Sequence, residues 1–414
     1  PARTRHTGTV LWVLWLTYGS FYFCRTNISA ALPGIQADLG FSKADLGWVL
    51  AALKITYAAG QLINGQQSER VSPRLLLGTG MFASAALNVL FGFGTAVYFW
   101  LFVWACNGYA QALGWTPTMR VAANWFEAEG RGVRFGILGT SYQVTAAATF
   151  VISGTAVEWL GWRGAFWVPA ALLAASGVHT LVFLRESPAA GPVRTSEHPE
   201  DTVSSSARPP WGRTIRLTLA NPALWLLALA LGLLNATRYG FLDWGLSHVL
   251  EVQKGGVSSA ALKYAVLPLG GVAGAYLTGW VSDRHLGGRR APAICALLVL
   301  LGVLTVTYGR MVHVGTAAVV ATLGLVGFAI FGAQVLLVGT FPVDLARPGT
   351  AAASVGFVNC MGYVGAAASD VLTGWLVQDR GWNVAVLCWA SYAFVAAAAV
   401  GLLWNAAARA EPAS

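Results

Sequence analysis

The chain has 414 residues, of which 56% are hydrophobic and only 10% are charged. Soluble globular proteins carry roughly 25% charged residues, so the composition excludes an ordinary water-soluble domain and indicates a surface that faces lipid. The net charge of +9 is spread over short loops between apolar segments rather than gathered in one stripe. This distribution argues against nucleic acid as a partner.

Twelve apolar segments are long enough to cross a bilayer, which takes about 20 helical residues. Gly (48) and Trp (18) are abundant, as expected where helices pack through small residues and indoles lie at the membrane interface. We therefore predict an all-α integral membrane protein with twelve transmembrane helices. The segments lie near residues 9–33, 45–66, 74–94, 97–125, 133–158 and 163–184, and near 222–249, 259–281, 291–310, 315–343, 350–377 and 382–408.

A polar, turn-rich stretch separates the sixth segment from the seventh. Residues 185–216 contain three serines in a row at 204–206 and the pair Pro209-Pro210, a composition that is typical of a flexible linker. The sequence therefore predicts an N-terminal six-helix bundle at 1–184, a cytoplasmic linker at 185–216 and a C-terminal six-helix bundle at 217–414.

Basic residues are distributed unequally between the loops on the two sides. If the N-terminus is cytoplasmic, sixteen Lys and Arg residues fall in cytoplasmic segments and six on the opposite side, in agreement with the positive-inside rule. Arg3, Arg5 and His6 precede the first segment, and we expect no cleavable signal peptide. The prediction is a multi-pass protein of a bacterial-type inner (plasma) membrane, with both termini cytoplasmic.

The two halves of the chain repeat each other. The sequence Gly-Gln-Gln-Ser-Glu-Arg at 65–70 matches Gly-Trp-Val-Ser-Asp-Arg at 279–284, and the Gly-Trp pair at 161–162 recurs at 381–382. Six-helix halves repeated in parallel are the organisation of the major facilitator superfamily, and both loops resemble its cytoplasmic signature. The resemblance implies a gating or structural role for their charged residues, while a tight turn with solvated charges is the alternative. The gating candidates are Glu69, Arg70, Asp283 and Arg284.

Four basic residues remain at membrane depth: Arg25, Lys54, Arg120 and Arg238. Each costs at least about 2.5–3.5 kcal/mol on insertion scales, so such residues usually face a cavity and mark function. A guanidinium is planar, permanently charged and able to bind phosphate or carboxylate bidentately. Arg25 and Arg238 lie in the first span of each half, so together they could hold a dianion between the halves. The alternative is that each pairs with an internal acid, for which Asp243 and Asp370 are the main candidates.

The surroundings of these cations suggest further site residues. Tyr18, Tyr22 and Arg25 are spaced i, i+4, i+7 and share one helix face, as do Lys54, Tyr57 and Gln61. Lys54 could line the cavity as a third cation or lie near its mouth and extend outwards. Asp370 could pair with a cation or take up a proton coupled to transport. For Arg120 we expect a structural role at a helix end.

Five stretches of sequence resemble the organophosphate:phosphate antiporter family, which includes the bacterial glycerol-3-phosphate and hexose-phosphate transporters and the animal glucose-6-phosphate translocase. The most specific is Arg-Tyr-Gly-Phe-Leu-Asp-Trp at 238–244. The others are Tyr-Phe-Cys-Arg at 22–25 with Ala-Leu-Pro at 31–33, Gly108 with Gln111, Gly114, Trp115 and Pro117, Asn-Trp-Phe at 124–126, and Gly-Thr-Ala-Ala at 349–352 with Gly362 and Tyr363. The resemblance covers nearly the whole chain.

The resemblance implies a transport mechanism and a binding site. Arg25 and Arg238 would bind the substrate phosphoryl group, and Tyr18, Tyr22, Tyr57 and Tyr363 would line the cavity. An organic phosphate would be exchanged for inorganic phosphate by rocking of two six-helix bundles. Departures from the glycerol-3-phosphate transporters at Thr26, Gln61 and Tyr142 predict that the organic part is recognised differently. The candidate substrate-binding set is Arg25, Arg238, Tyr18, Tyr22, Lys54, Tyr57, Gln61, Tyr142, Asn235 and Tyr363, and the coupling candidates are Asp243 and Asp370.

Three other functions are weighed against exchange. A proton-coupled organic-anion symporter would use Asp370, and a transporter-like membrane sensor of sugar phosphates would bind ligand with little flux. An enzyme is disfavoured, because the sequence shows no nucleophile elbow, phosphate-binding loop or clustered His and carboxylate residues. The five cysteines are interpreted as packing residues rather than metal ligands or disulfides. We expect no cofactor, no metal and a monomer in contact with membrane lipid.

Overall fold

The structure is a computed structural model that describes residues 2–67, 71–126, 131–188, 211–285 and 289–406. Within these ranges all regular secondary structure is helical. The chain divides into two compact units, Pro1–Gly40 with Ile55–Ala207, and Phe41–Lys54 with Arg208–Ser414. The predicted bundle boundaries differ from this division chiefly at residues 41–54, which form part of the second unit.

The first unit contains eight helices in its described part, one of them shared with the second unit. A short 3₁₀ segment at Phe21–Cys24 separates the first two helices. The helices are α1 (Ala2–Ser20), α2 (Ile28–Leu39), the latter part of α3 (Lys43–Gln67), α4 (Pro73–Phe93), α5 (Val97–Ala112), α6 (Trp115–Trp125), α7 (Arg131–Leu160) and α8 (Gly164–Phe183).

The second unit contains the first half of α3 and ten further helices in its described part. Two π-helical segments, Gly240–Trp244 and Leu336–Thr340, continue α10 and α15 without ending the span. The helices are α9 (Trp211–Leu219), α10 (Pro222–Tyr239), α11 (Gly245–Gln253), α12 (Val257–Tyr264), α13 (Val266–His285), α14 (Arg290–Met311), α15 (Thr316–Val335), α16 (Phe341–Asp344), α17 (Ala351–Arg380) and α18 (Trp382–Gly401).

Local sequence explains several helix boundaries. The side chain of Ser72 accepts a hydrogen bond from the backbone N–H of Leu75, and Pro73 occupies the first turn of α4. Asn221 and Pro222 begin α10 in the same manner. A polar cap followed by proline is favoured here because the side chain satisfies an orphan N–H and proline has none to satisfy.

The glycines of the repeated Gly-Trp pairs both have a positive φ. Gly161, before α8, has φ of 69°, and Gly381, before α18, has φ of 81°. Glycine reaches such values without a steric penalty. The repeated glycine therefore meets a conformational requirement in both units.

The predicted spans agree closely with the helices. Ten helices or helix groups in the described residues are long and apolar enough to cross a membrane. The other two predicted spans, 9–33 and 97–125, are each built from shorter helices, because the first is interrupted at residues 21–27 and the fourth at Leu113 and Gly114. The all-α prediction is confirmed.

Glycines permit close contact between helices, as their abundance predicts. A Cβ at Gly327 of α15 would collide with the backbone of Leu267 in α13, and one at Gly365 of α17 would collide with the backbone of Gly232 in α10. Small residues allow membrane helices to approach to backbone contact. The α10–α17 contact brings together the two helices that carry four of the predicted site residues, Asn235, Arg238, Tyr363 and Asp370.

Large apolar side chains cover the outside of both units, while charges lie inside. Trp159 is 83% exposed and Phe93 is 68% exposed. Lys54, Arg238 and Asp370, in contrast, are buried. Exposure of so extensive an apolar surface to water would be energetically unfavourable. The arrangement is therefore the one expected for a protein that is surrounded by lipid.

Parts of the predicted linker and loop motifs lie outside the described residues. These include Glu69, Arg70 and residues 189–210, and the side chain of Asp283 is not described either. Arg284 is exposed, with its guanidinium carbon 5.8 Å from the centre of the Trp280 ring. Helix α9 begins at Trp211, directly after Pro209-Pro210, so the last six residues of the predicted linker are helical. Its less exposed residues Thr214, Leu217 and Thr218 are spaced i, i+3, i+4, as expected for a helix with one face against the protein.

Candidate functional site

Arg25 lies in an aromatic environment in the first unit. Its side chain is only 6% exposed. Its Nη1 donates a hydrogen bond to the Tyr22 hydroxyl at 3.3 Å, and its guanidinium carbon lies 4.0 Å from the centre of the Tyr57 ring. A cation over an aromatic face is attracted by the ring quadrupole. These contacts hold the guanidinium of Arg25 against two tyrosine side chains.

Further aromatic rings surround this arginine. The ring centroids of Tyr22 and Tyr142 are 5.1 Å apart, and those of Tyr18 and Tyr142 are 6.3 Å apart. Trp115 packs against Tyr18 with a centroid separation of 4.8 Å. The structure thus brings together Tyr18, Tyr22, Tyr57 and Tyr142, four predicted site residues, around Arg25.

The local backbone helps to explain this arrangement. The prediction assumed an unbroken α-helix, but α1 ends at Ser20 and a 3₁₀ turn follows over Phe21–Cys24. A 3₁₀ helix has three residues per turn, so side chains three positions apart lie above one another. Tyr22 and Arg25 therefore share one side, as predicted, although through a different helical geometry.

Arg238 occupies the corresponding position in the second unit and is 2% exposed. Its guanidinium carbon lies 4.9 Å from the centre of the Phe331 ring and 5.0 Å from that of Tyr239. Tyr363 of α17 is 6.3 Å from Tyr239 between ring centroids. Asn235 is one turn before Arg238 on α10 and is also buried. Sequence analysis did not single out Phe331 or Tyr239 as contacts of this arginine.

Lys54 is bound between two carboxylates in the second unit. Its Nζ donates hydrogen bonds to Asp243 Oδ2 and to Asp370 Oδ2, and all three side chains are buried. The same Nζ lies 4.5 Å from the centre of the Tyr239 ring. Tyr239 therefore contacts both Lys54 and Arg238, which joins the three charged residues and the arginine into one cluster.

This geometry bears on the alternatives for Lys54 and Asp370. Lys54 is 2% exposed, which does not agree with the alternative that it lies near a cavity mouth and extends outwards. Asp370 pairs with a cation, as one alternative predicted, and that cation is Lys54. Asp243, the other acid considered as a partner for the arginines, also pairs with Lys54. If both acids are ionised, the Lys54–Asp243–Asp370 group carries a formal charge of −1.

Close contact between α10 and α17 places these acids together. Ser369 Oγ of α17 donates a hydrogen bond to the Ala236 carbonyl of α10 at 2.8 Å. Ser369 directly precedes Asp370, and Ala236 is two residues before Arg238. Asp243 lies in the π-helical segment Gly240–Trp244, a type of helical irregularity that is frequent at functional sites. The extra residue in this turn offsets Asp243 from a regular α-helical register with Arg238.

The remaining predicted residues have less specific surroundings. Gln61 is half-buried, and its Nε2 has no hydrogen-bond partner within the described part of the chain. Arg120 donates from Nη1 to the Val71 carbonyl at 3.1 Å, a contact that fits the expected structural role. Among the described residues, no group of three His, Cys, Asp or Glu could hold a metal ion.

Sequence analysis missed a set of buried amides behind Arg25. Asn107 and Gln111 of α5 donate hydrogen bonds to backbone carbonyls of the 3₁₀ segment, and Asn88 of α4 joins them. Gln111 belongs to the family motif at 108–117, but no role was assigned to it. An isolated amide in an apolar span is a signal that could have identified the other two.

The chain is similar to several transport proteins along most of its length. It is 28% identical to a probable hexose phosphate transport protein of Chlamydia muridarum, covering 96% of this chain and 91% of the relative. It is 29% identical to the glycerol-3-phosphate transporter of Bacillus subtilis, with coverages of 96% and 92%. It is also 28% identical to the membrane sensor protein UhpC of Escherichia coli, with coverages of 88% and 84%. The predicted resemblance to the organophosphate:phosphate antiporter family is confirmed by these relatives.

Solved structures support the fold. A bacterial homolog of the human lysosomal transporter Spinster superimposes with a TM-score of 0.77 at 17% identity, over 98% of each chain. The nucleoside transporter NupG gives a TM-score of 0.75 at 15% identity, over 96% of this chain and 100% of that one. The sequence profile of the Major Facilitator Superfamily matches residues 14–370. The predicted fold class is confirmed, and the chain belongs to the Major Facilitator Superfamily.

Proposed function

We propose that this protein is a secondary active transporter that exchanges an organic phosphate, either a sugar phosphate or a glycerol-phosphate-like ester, for inorganic phosphate. The observation that carries the proposal is the burial of one arginine in each unit, Arg25 and Arg238, at matching points of the internal repeat. In this proposal both guanidinium groups bind the phosphoryl group, and alternating access proceeds by a rocker-switch motion.

The charges of the two clusters favour a phosphate dianion as ligand. Lys54 already donates hydrogen bonds to two carboxylates, so its charge is compensated before any substrate arrives. The two arginines then supply the attraction, and each can form a bidentate pair with phosphate oxygens. A phosphate group has enough oxygens to engage both.

The relatives support the same substrate class. Among them are proteins named as hexose phosphate and glycerol-3-phosphate transporters. The neutral side chains Thr26, Gln61 and Tyr142 stand where the glycerol-3-phosphate transporters carry basic residues. We propose that these neutral side chains, which carry hydroxyl, amide and phenol groups, adapt the site to a substrate whose organic part is uncharged and presents hydroxyl groups.

The proposal of exchange rather than net transport rests on the burial of the two arginines. A charge within a membrane-spanning segment carries an energetic cost, and a phosphate dianion bound to Arg25 and Arg238 would offset part of that cost. In this proposal the unloaded carrier changes conformation slowly, because a bound anion lowers that cost. Phosphate on one side would then leave only in exchange for a phosphate compound on the other.

Counterflow in proteoliposomes tests this function. Purified protein is reconstituted in liposomes loaded with radiolabelled phosphate, and efflux is measured with and without external phosphate, glycerol 3-phosphate or hexose 6-phosphate. We expect rapid efflux only when an external phosphate compound is present, and loss of that efflux in Arg25→Ala and Arg238→Ala. The control is Arg310→Ala, which removes an exposed arginine. Efflux that is equally fast without external phosphate would contradict obligatory exchange.

Two observations favour specific alternatives. The similarity to membrane sensor protein UhpC over 88% of this chain favours a sensor, for which proteoliposomes would show ligand binding but negligible flux. The second is the contact of Lys54 with two buried carboxylates, Asp243 and Asp370, a group that could take up one proton and that favours a proton-coupled symporter. A symporter would accumulate substrate under an imposed pH gradient and would lose that response in Asp370→Asn.

A further inference from the structure

The interruption of the first span leaves backbone carbonyls that an α-helix would satisfy. In an unbroken helix the Phe21 carbonyl would accept from the N–H of Arg25, but that N–H donates to the Tyr22 carbonyl at 3.3 Å. Cys24 is the last residue of the 3₁₀ segment. The carbonyls at the end of a helix have no N–H partner within that helix, and the Cys24 carbonyl is one of them. Cys24 directly precedes Arg25 in the chain, and Phe21 lies four residues before it.

Side-chain amides from two neighbouring helices replace the missing donors. Gln111 Nε2 donates to the Phe21 carbonyl at 2.9 Å and approaches the Cys24 carbonyl at 3.4 Å. Asn107 Nδ2 donates to the Cys24 carbonyl at 2.9 Å, and Asn88 Nδ2 lies 3.5 Å from the same oxygen. The Cys24 carbonyl thus accepts from three amide groups.

These amides also hold one another in place. Ser84 Oγ donates to Asn107 Oδ1 at 2.6 Å and accepts from Gln111 Nε2 at 2.8 Å. Asn27, at the start of α2, donates to Asn88 Oδ1 at 2.9 Å. All five side chains are buried, with exposed fractions of 0–2%. We call Asn27, Ser84, Asn88, Asn107 and Gln111 the amide network.

Tight packing prevents the interruption from shifting. A Cβ at Gly114 would lie 3.1 Å from the Phe21 ring, and one at Gly80 would lie 2.9 Å from the Ala110 carbonyl. Within a membrane, an interrupted helix is tolerated only when neighbouring groups satisfy the freed backbone. The amide network meets that requirement, and it does so at the turn from which the Arg25 side chain projects.

We propose that Asn107 and Gln111, supported by Ser84 and Asn88, are positioning residues that hold the 3₁₀ turn open and thereby orient the Arg25 guanidinium toward the substrate phosphoryl group. This inference rests on the proposed function, since it assigns these residues to the phosphate site. They contact no substrate themselves. Loss of an amide would let the turn relax toward α-helix and rotate Arg25 away from the Tyr22 and Tyr57 rings.

The test measures the affinity of purified full-length protein for inorganic phosphate, together with the thermal midpoint of the ligand-free protein. The variants are Gln111→Met and Asn107→Leu, which keep side-chain volume but remove the donors, and Asn107→Asp as a second isosteric change. The matched control is Thr180→Val. It removes a fully buried hydrogen bond of 2.8 Å between Thr17 and Thr180 in the same unit, which involves neither the Phe21 carbonyl nor the Cys24 carbonyl.

We expect the amide variants to weaken phosphate binding at least about tenfold, since a displacement of about 1 Å at a binding group is enough for such a loss. The control should change affinity less than about twofold at a similar loss of thermal midpoint. In an Arg25→Lys background, Gln111→Met should add less than about twofold, because residues that act through one group are not additive.

Three results separate failure of this inference from failure of the proposed function. Wild-type affinity in the amide variants, with binding lost in Arg25→Ala, would overturn the positioning role alone. Parallel losses in the amide variants and in Thr180→Val, or full additivity with Arg25→Lys, would also overturn it by showing a merely structural effect. A wild-type protein that binds neither inorganic phosphate nor a phosphate ester would overturn the proposed function and this inference with it.

Discussion

The two units carry an arginine at matching points of the internal repeat, yet they surround it with different chemistry. Arg25 of the first unit contacts the rings of Tyr22 and Tyr57. Arg238 of the second unit contacts Phe331 and Tyr239, and Tyr239 leads directly to Lys54 and its two acids. The repeat therefore fixes where a cation lies in each unit. Aromatic rings contact that cation in both units, and in the second unit these contacts lead to further charged residues.

The difference predicts unequal consequences of mutation. In the second unit the charges of Lys54, Asp243 and Asp370 depend on one another, so removing one leaves a buried group without its partner. In the first unit aromatic contacts add smaller, separable contributions. The substitutions below probe this contrast from the largest expected effect to the smallest.

Lys54→Met should cause the largest loss of stability. It leaves Asp243 and Asp370 buried side by side without a cation, and removing one partner of a buried pair costs about 3–5 kcal/mol. The measurement is the thermal midpoint of the purified protein in detergent. The triple variant Lys54→Met, Asp243→Asn, Asp370→Asn should recover most of the loss, since no charge is left uncompensated. A single variant as stable as the wild type would show that the charged group contributes little.

Gly365→Ala should disturb the second unit by separating two helices. The added methyl group would collide with the backbone of Gly232, and overpacking of this kind costs about 1–3 kcal/mol. Phosphate affinity should fall as well, because α10 carries Arg238, α17 carries Asp370 and the π-helical segment that continues α10 carries Asp243. Gly356→Ala is the matched control on the same helix, where a methyl group meets nothing within 4 Å. Equal effects of the two substitutions would refute the role of this contact.

Tyr57→Leu should weaken phosphate binding moderately. The Tyr57 ring lies 4.0 Å from the Arg25 guanidinium carbon, and a buried cation–π contact contributes about 1–2 kcal/mol. We expect an increase of Kd of about five- to thirtyfold in equilibrium binding, with little change in thermal midpoint. Tyr57→Phe keeps the ring and should bind almost normally. A large loss in Tyr57→Phe would instead point to the hydroxyl group as a direct ligand contact.

Tyr22→Phe should have the smallest effect. It removes a single hydrogen bond of 3.3 Å to Arg25 and retains the ring. A net contribution of about 0.5–1.5 kcal/mol is typical of such a bond, so Kd should rise by less than about tenfold. The same binding assay measures it. An effect as large as that of Lys54→Met on thermal midpoint would contradict the view that the first unit is held by small, separable contacts.

The sequence predicts the fold well because its signals are local. Apolar segments of about 20 residues, caps such as Ser72-Pro73 and the repeated Gly-Trp turns each depend on neighbours in the chain. The grouping of Tyr18, Tyr22 and Arg25 could be predicted for the same reason, since they are close in the chain and share one side even though a 3₁₀ turn replaces the α-helix that was assumed. The resemblance to the superfamily is readable from the sequence because the loop motifs at 65–70 and 279–284 are each contained in six consecutive residues.

Other features depend on residues far apart in sequence. Lys54 is 189 residues from Asp243 and 316 from Asp370, so spacing could neither reveal their pairing nor decide between the two positions considered for Lys54. The 3₁₀ and π segments were also missed, because the donors that permit them come from other helices. Asn107 and Gln111 satisfy carbonyls more than 80 residues away.

The most direct test of the central claim is the equilibrium binding of inorganic phosphate to the purified wild-type protein and to Arg25→Ala, Arg238→Ala and the exposed control Arg310→Ala. If one arginine from each unit binds the phosphoryl group, the wild type and the control bind phosphate alike and each of the other variants loses at least about 100-fold in affinity, as expected for a charged hydrogen-bonding partner of a buried ligand. Phosphate binding that survives in either Arg25→Ala or Arg238→Ala would contradict the account.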